Sequence, residues 1–267
     1  MMQPISALAV AAARNVICVL TDIDDTLTTE GRLPAAAYAA LENLHNAGFK
    51  VVPITGRPAG WCDMVARFWP VDGVVGENGA FYFRYDAGAR KMIRRFAVSA
   101  AERAVNRERL TALGARILAK TPGAAISADQ GYREADLAVD FCEDVPKLTN
   151  EAVAQIVKMF EAEGAVAKVS SIHVNGWFGD YDKLSMTRVF ARDVLGVDLD
   201  AARDRFLYCG DSPNDAPMFR FFPLACGVAN VRDFAGRMPA EPAFVAEARG
   251  GEGFVEIVER LLTAHRN

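Results

Sequence analysis

The sequence is poor in the features that staple, anchor or charge a protein. It carries 5 cysteines in 267 residues, Cys18, Cys62, Cys142, Cys209 and Cys226, and no two stand in C-x-x-C spacing. That spacing excludes a cysteine-built zinc site and a vicinal redox pair. Isolated thiols inside apolar runs fit small core residues in a reducing compartment, so a cytoplasmic location is expected. No apolar run approaches the roughly 20 residues needed to cross a bilayer as a helix, and no membrane partner is expected. There is no excess of positive charge either: 30 Lys and Arg stand against 34 Asp and Glu, a net charge of −4. Without a basic stripe, recognition of a nucleic-acid backbone is not expected. The locally basic Arg84–Arg95 stretch reads as a solvated face. Internal repeats and low-complexity tracts are absent, and nothing in the sequence speaks to oligomeric state.

What is present is a large apolar fraction, 51% of residues, enough for a real core in one large or two modest domains. Val16–Leu20 is a short β-branched run that reads as a buried strand. Pro34–Asn46 reads as a helix with Tyr38, Leu41 and Leu44 on one face and Gly48 as its stop. Lys50–Ile54 is a second strand, Gly60–Phe68 a helix and Gly73–Val75 a third strand. Phe81–Phe83 and Lys91–Phe96 are placed as a hairpin. The rhythm resumes late in the chain with a helix at Ser185–Leu195, strands at Arg205–Cys209 and Leu224–Val228, and a closing helix at Gly253–His265. Alternation of strand and helix is the pattern of a parallel sheet covered on both faces, an α/β, Rossmann-like core. Ile5–Ala13 is apolar but lacks a basic start; it reads as a loosely attached extension, with secretion as the lesser alternative.

Between about residues 86 and 181 the order changes to helix, strand, strand, helix, strand, strand. That order is α+β, and it predicts an inserted second domain: residues 1–85 and 183–267 as the core, 86–182 as the insertion. Both helices, Ala100–Lys120 and the one opening at Leu148–Asn150, belong on one face of its sheet. Ser171, His173 and Asn175 share a row of side chains by the strand period of two, which places them on the free face.

Polar chemistry gathers where the core strands end. The first strand stops at Asp22, Asp24 and Asp25, the second at Thr55-Gly56-Arg57, and a late one at Asp211 and Asp215. Open parallel sheets bind ligands beyond the carboxyl ends of their strands, so two acidic turns and a hydroxyl turn form one convergent site. Clustered carboxylates need a compensating cation, and oxygen ligands suit Mg2+. Such a site suits phosphoryl transfer. Asp22 and Asp211 hold the metal and Asp22 serves as nucleophile. Asp24 is the acid and base. Lys183 and Thr55 bind the phosphoryl group.

The segments TDIDDTLT, ITGRP, the lone Lys183 and GDSPNDAPMF resemble, in order, the four motifs of the haloacid dehalogenase-like (HAD) phosphatase superfamily. The insertion after ENGA resembles the type-IIB cap of its sugar phosphatase branch, which includes Cof-like, sucrose-phosphate, trehalose-phosphate and mannosyl-3-phosphoglycerate phosphatases. The resemblance implies Asp22 as nucleophile, Asp24 as acid and base, and Thr55 and Lys183 as phosphate binders. It implies Mg2+ on Asp22, the Asp24 carbonyl and Asp211, with Asp215 as a further ligand or support positioned by Asn214. Position 25 departs from the pattern, being Asp where many relatives carry Gly; its amide is still expected to face the phosphate.

Gly56, Arg57, Asn78, His173, Asn175 and Asn214 complete the expected substrate- and phosphate-binding set. Arg57 either meets a phosphate or pairs on the surface, and His173 either contacts substrate or is structural. Trp177 and Phe178 are expected to pack the hinge, and Arg133 is a weaker candidate for recognising an anionic or hydroxyl-rich substrate. The expected activity is Mg2+-dependent hydrolysis of a small phosphomonoester, a phosphorylated metabolite such as a sugar phosphate, through an aspartyl-phosphate. Two alternatives stay open: a phosphomutase using the same nucleophile, and a non-catalytic phosphate sensor.

Overall fold

Six short parallel strands lie side by side in the order Gln3–Pro4, Phe244–Val245, Leu224–Gly227, Phe206–Gly210, Cys18–Thr21 and Lys50–Pro53. This computed structural model describes residues 2–266 apart from Ser171. The strands are apolar on both sides because both faces of the sheet are covered. Val19, Val51 and Leu207 pack toward Leu41 and Leu44 of the Ala35–Asn46 helix and Phe254 and Ile257 of the Gly250–Arg266 helix. Their neighbours Leu20, Val52 and Tyr208 point the other way, toward Met186 and Phe190 of the Lys183–Phe190 helix and Phe219 of the Ala216–Phe221 helix. Because all the strands run in one direction, their carboxyl ends share one edge. That edge carries Asp22, Asp211 and, just past Pro53, Thr55.

The amino-terminal segment is not the loose extension that its sequence suggests. Gln3–Pro4 adds a strand beside Phe244–Val245, and Ile5, Leu8 and Ala13 are buried. They join the core cluster built on the Gly250–Arg266 helix, and Arg14 Nε donates to the Ala264 carbonyl at 2.9 Å. The partner lies 250 residues away, which is why local patterning does not reveal it.

Val74–Gly76 differs from its expected place as a full parallel strand. It touches the first sheet through one bridge, Ile54 to Val75, and then pairs antiparallel with the hairpin Phe81–Asp86 and Lys91–Phe96. The turn at 86–91 is therefore a hairpin turn, and the chain stays with this three-stranded sheet until Phe96.

A separate antiparallel sheet follows, in the order Ala125–Ile126, Leu137–Asp140, His173–Trp177 and Val166–Val169. Leu110, Leu113 and Ile117 of the Ala100–Lys120 helix and Ile156 and Phe160 of the Asn150–Ala162 helix bury its Leu137, Val139 and Val174. The register pairs His173 with Asp140 and Asn175 with Ala138, so these residues lie on the opposite face, turned toward the strand ends of the parallel sheet. The last strand begins two residues later than its sequence implies, and the expected contribution of Ser171 lies outside the described residues. Trp177 and Phe178 are buried where the chain returns, with the Trp177 ring stacked on Tyr181. Among the described residues no helix is long and apolar enough to cross a membrane.

Replacing the fully buried Leu8 by Ala is expected to cost about 2–5 kcal/mol of stability in urea unfolding, as core truncations do. A loss below about 0.5 kcal/mol would mean that the segment is as detached as its sequence suggests.

Candidate active site

The acidic edge is held together by one ammonium. Lys183 Nζ donates to Asp22 Oδ1 at 2.8 Å and to Asp215 Oδ1 at 2.7 Å, and all three side chains are buried. Lys183 opens its helix, and the side chain of Asp182 caps that end by accepting from the Ser185 amide. Asp215 is returned to the strand end by the short Pro213–Asp215 turn. Its Oδ1 also accepts from the Tyr208 hydroxyl at 2.6 Å, and its Oδ2 accepts from the amides of Asp211 at 3.0 Å and Ser212 at 3.4 Å. This fold-back explains Gly210, because a Cβ there would stand 2.5 Å from Asp215 Oδ2. Asp22, Asp211 and Asp215 each bring an oxygen within 4.8 Å of the others.

Three buried carboxylates against one ammonium leave an excess of negative charge. Burial pushes the Asp22 carboxyl from 3.8 up to about 7; Lys183 offsets this only in part, and Asp215 and Asp24 add to it. Asp211 is raised well above the carboxylate range by burial, with Asp215 and Asp22 contributing. Burial alone would lower Lys183, but Asp215 and Asp22 outweigh it and hold the ammonium charged. A compact set of hard oxygen donors with unspent negative charge fits a small divalent cation such as Mg2+.

The Asp24 carboxylate is not part of this cluster. It turns to Arg57, accepting from Nε at 3.0 Å and from Nη2 at 2.8 Å. Arg57 is thus neither a free phosphate ligand nor a surface residue. Its guanidinium is buried, reaches Glu143 Oε1 at 3.2 Å and lies against the Trp61 ring. Thr55 accepts from the Arg57 amide at 3.1 Å, which leaves its own hydroxyl proton to donate. Asn78 sits behind Gly56 in a left-handed conformation at φ 55°, with its buried Nδ2 unpartnered.

A cavity of about 20 Å³ remains between the sheet edge and the inserted unit, lined by Asp22, Asp24, Arg57, Asp211, His173 and Asn175 among others. Gly56 and Asn214 also reach it, whereas Thr55, Asn78, Lys183 and Asp215 stand one layer behind. The Asn175 amide donates to Asp136 Oδ2 at 2.9 Å, so it braces the wall. Arg133 is consumed as well: it pairs with Asp129 and Asp136, both at 3.0 Å, and donates to the Gly56 carbonyl at 3.0 Å.

Two acids carry weight that sequence reasoning did not give them. Glu143 Oε2 lies 2.9 Å from His173 Nε2, though the ring is not aligned for a full hydrogen bond. His173 pulls the Glu143 carboxyl down to about 2 against the effect of burial, and Arg57 helps. Asp140 shapes the loop that presents Glu143 by accepting from the amides of Cys142, Glu143 and Asp144. Glu77, fully buried, accepts from the amides of Ala59, Glu134, Ala135 and Asp136, tying the inserted unit to the core. Burial, then the nearby Asp136, pushes its carboxyl up to about 8.

Asp25 corrects one expectation. Its φ of 57° is left-handed, the region glycine enters most cheaply and Asp tolerates. Its amide donates to Thr28 Oγ1 at 2.9 Å, so it closes the turn and does not face the cavity.

Known proteins share part of this sequence and the fold. Residues 19–106 match the model of the haloacid dehalogenase-like hydrolase family. A putative HAD/COF-like hydrolase from Plasmodium vivax shares the fold at TM-score 0.68 and 16% identity, over 96% of this chain and 99% of that one. The sucrose-phosphatase of Synechocystis sp., solved with sucrose and phosphate, does so at TM-score 0.62 and 15% identity, over 93% and 98%. The HAD subclass IIB sugar phosphatase BT4131 does so at TM-score 0.59 and 16% identity, over 93% and 98%. No curated protein matches by sequence. At these identities the solved structures establish a shared fold along nearly the whole chain. By sequence, the likeness to the haloacid dehalogenase-like hydrolase family covers residues 19–106, the stretch that carries Asp22, Asp24 and Thr55.

Proposed function

We propose that the protein is a Mg2+-dependent phosphatase that hydrolyses a small phosphomonoester, a sugar phosphate, through an aspartyl-phosphate on Asp22. The observation that carries this reading is the pairing of Asp22 and Asp24 on one cavity wall, with Lys183 Nζ 2.8 Å from the Asp22 carboxylate. The sucrose-phosphatase and sugar phosphatase that share the fold support the substrate class.

In this mechanism an Asp22 carboxylate oxygen attacks phosphorus, and the bond to the ester oxygen breaks. Asp24 delivers the proton to the departing oxygen, and Arg57, in contact with both Asp24 oxygens, steadies the carboxylate that results. Asp24 then takes a proton from water as that water attacks the phosphorus, which frees Asp22 and inorganic phosphate. Lys183 keeps Asp22 in place, and the Thr55 hydroxyl and the Gly56 segment receive phosphoryl oxygens. Mg2+ held by Asp22, Asp211, Asp215 and the Asp24 carbonyl would neutralise the phosphoryl charge that these carboxylates otherwise repel. Residues 1–85 and 183–267 act as the catalytic core and 86–182 as the cap. The closed cavity of about 20 Å³ holds little more than a water, so the cap opens to admit substrate. The expected setting is cytoplasmic.

Asp22→Asn should abolish phosphate release from a panel of sugar phosphates while leaving the circular dichroism spectrum unchanged. Substantial turnover by that variant would contradict the mechanism. A second test uses the metal. A carboxyl raised to about 7 favours the folded state only while protonated. That contribution is complete below the ordinary carboxylate range and is lost as pH rises through about 7. Mg2+ binds the ionised form and replaces the lost stability. The rise in Tm on adding Mg2+ to EDTA-treated protein should therefore be larger near pH 8 than near pH 6, both taken as about one unit either side of 7. An equal rise at both pH values would contradict cation binding at Asp22.

A further inference from the structure

The basic run at Arg84–Arg95 and the arginines that open the Ala100–Lys120 helix take no part in the catalytic cavity. They meet in a separate groove of about 410 Å³, a volume in the range of small-molecule sites. Arg94 reaches it from the hairpin strand Lys91–Phe96, and Arg103 and Arg107 reach it from the helix of the inserted unit. Arg133, held by Asp129 and Asp136, lines both this groove and the catalytic cavity and so stands between them.

The groove carries more positive than negative charge, in a chain whose net charge is −4. Its carboxylates are Asp63 and Glu134. Asp63 is shared, accepting from Arg94 at 2.8 Å and from Arg67 at 2.6 Å. Glu134 meets Arg107 only at 3.4 Å, and both side chains are exposed. Arg103 pairs with no carboxylate among the described residues. Its Nη1 donates to the Val98 carbonyl at 3.0 Å, and its Nε is buried without a partner. Two of the three guanidinia lie against rings, Arg103 at 3.6 Å from the Phe96 centroid and Arg94 at 5.3 Å from that of Phe83. Stacking holds the plane of a guanidinium and leaves its N–H edge for the paired oxygens of a phosphate.

We propose that this groove is a second ligand site, separate from the catalytic cavity, for a small molecule bearing phosphate. Three guanidinia, one of them without a carboxylate and one sharing its carboxylate with Arg67, suit a dianion better than a single carboxylate. The ligand joins the two units, because Arg94 belongs to the hairpin and Arg103 and Arg107 to the insertion. The site binds and does not catalyse, since neither Asp22 nor Asp24 lines the groove. The proposal is independent of the phosphatase reading.

The test is calorimetric titration of the full-length protein in EDTA at low salt, near pH 8, about one unit above the raised Asp22 carboxyl. Without a divalent cation the ionised carboxylates of the catalytic cavity repel an anion, so binding under these conditions reports the groove. Two probes separate free from esterified phosphate: inorganic pyrophosphate and adenosine diphosphate. At least one of them should bind with Kd below about 1 mM. Tighter binding of pyrophosphate upholds the site as a reader of phosphate itself, and tighter binding of the nucleotide upholds it as a reader of a phosphate ester. Arg103→Gln and Arg94→Gln should each weaken the binding by at least about tenfold. Arg94 is half exposed, so its variant decides the matter if Arg103→Gln fails to fold. Asp22→Asn should leave the affinity unchanged. Three results would each overturn the proposal: binding of neither probe, affinity indifferent to the arginine variants, or affinity raised by Asp22→Asn, as for an anion in the catalytic cavity.

Discussion

The ammonium of Lys183, buried between Asp22 and Asp215, is the contact on which the rest of the structure depends. Three carboxylates at the edge of an apolar sheet would repel one another and resist burial. Lys183 makes their approach tolerable without cancelling their charge, and an excess of hard oxygen donors remains. The surrounding structure serves this arrangement. Tyr208 donates to Asp215 from inside the second core layer, Gly210 leaves room for the Asp215 carboxylate, and Asp182 caps the helix that delivers Lys183. Helices on both faces let the strand interiors be apolar, and the parallel direction brings their ends to one edge.

A second set of buried ions ties the inserted unit to that edge, and it divides into two parts. Glu77 accepts three amides of the 134–136 segment, and Arg133 reaches the Gly56 carbonyl. These contacts lie beside the chain's return through Tyr181 and Asp182 and fit a pivot, since Gly79 packs directly on the Asp182 backbone. Farther out, Arg57 joins Asp24 of the core to Glu143 of the inserted unit, and Glu143 is the more exposed partner. This outer contact is the more exposed of the two parts. It also ties Asp24, the acid and base of the proposed reaction, to the inserted unit through one guanidinium.

Much of this was legible in the sequence, for physical reasons. Strands such as Cys18–Thr21 and helices such as Ala100–Lys120 announce themselves by period and composition, and a parallel sheet then forces Asp22, Thr55 and Asp211 toward one edge. The period of two put His173 and Asn175 on the face that turns to that edge. Contacts between distant segments left no local trace. Leu8 is buried by a helix at the far end of the chain. Glu143 follows a strand in a turn that looks solvated, and only Asp140 and Arg57 give it a place. Glu77 left no local signal either, because its four amide donors come from two distant segments, Ala59 and the 134–136 stretch. Asp25 was legible as an oddity, and its left-handed backbone supplies the reason glycine suits that position.

The central claim is that Asp22 becomes covalently phosphorylated. The direct measurement is an acid quench during turnover of a phosphate-labelled sugar phosphate, followed by peptide mapping. The account predicts acid-stable, hydroxylamine-sensitive label on the peptide containing Asp22, present with Mg2+ and absent from Asp22→Asn. Phosphate release with no label on that peptide, or label on His173 or another side chain, would contradict it.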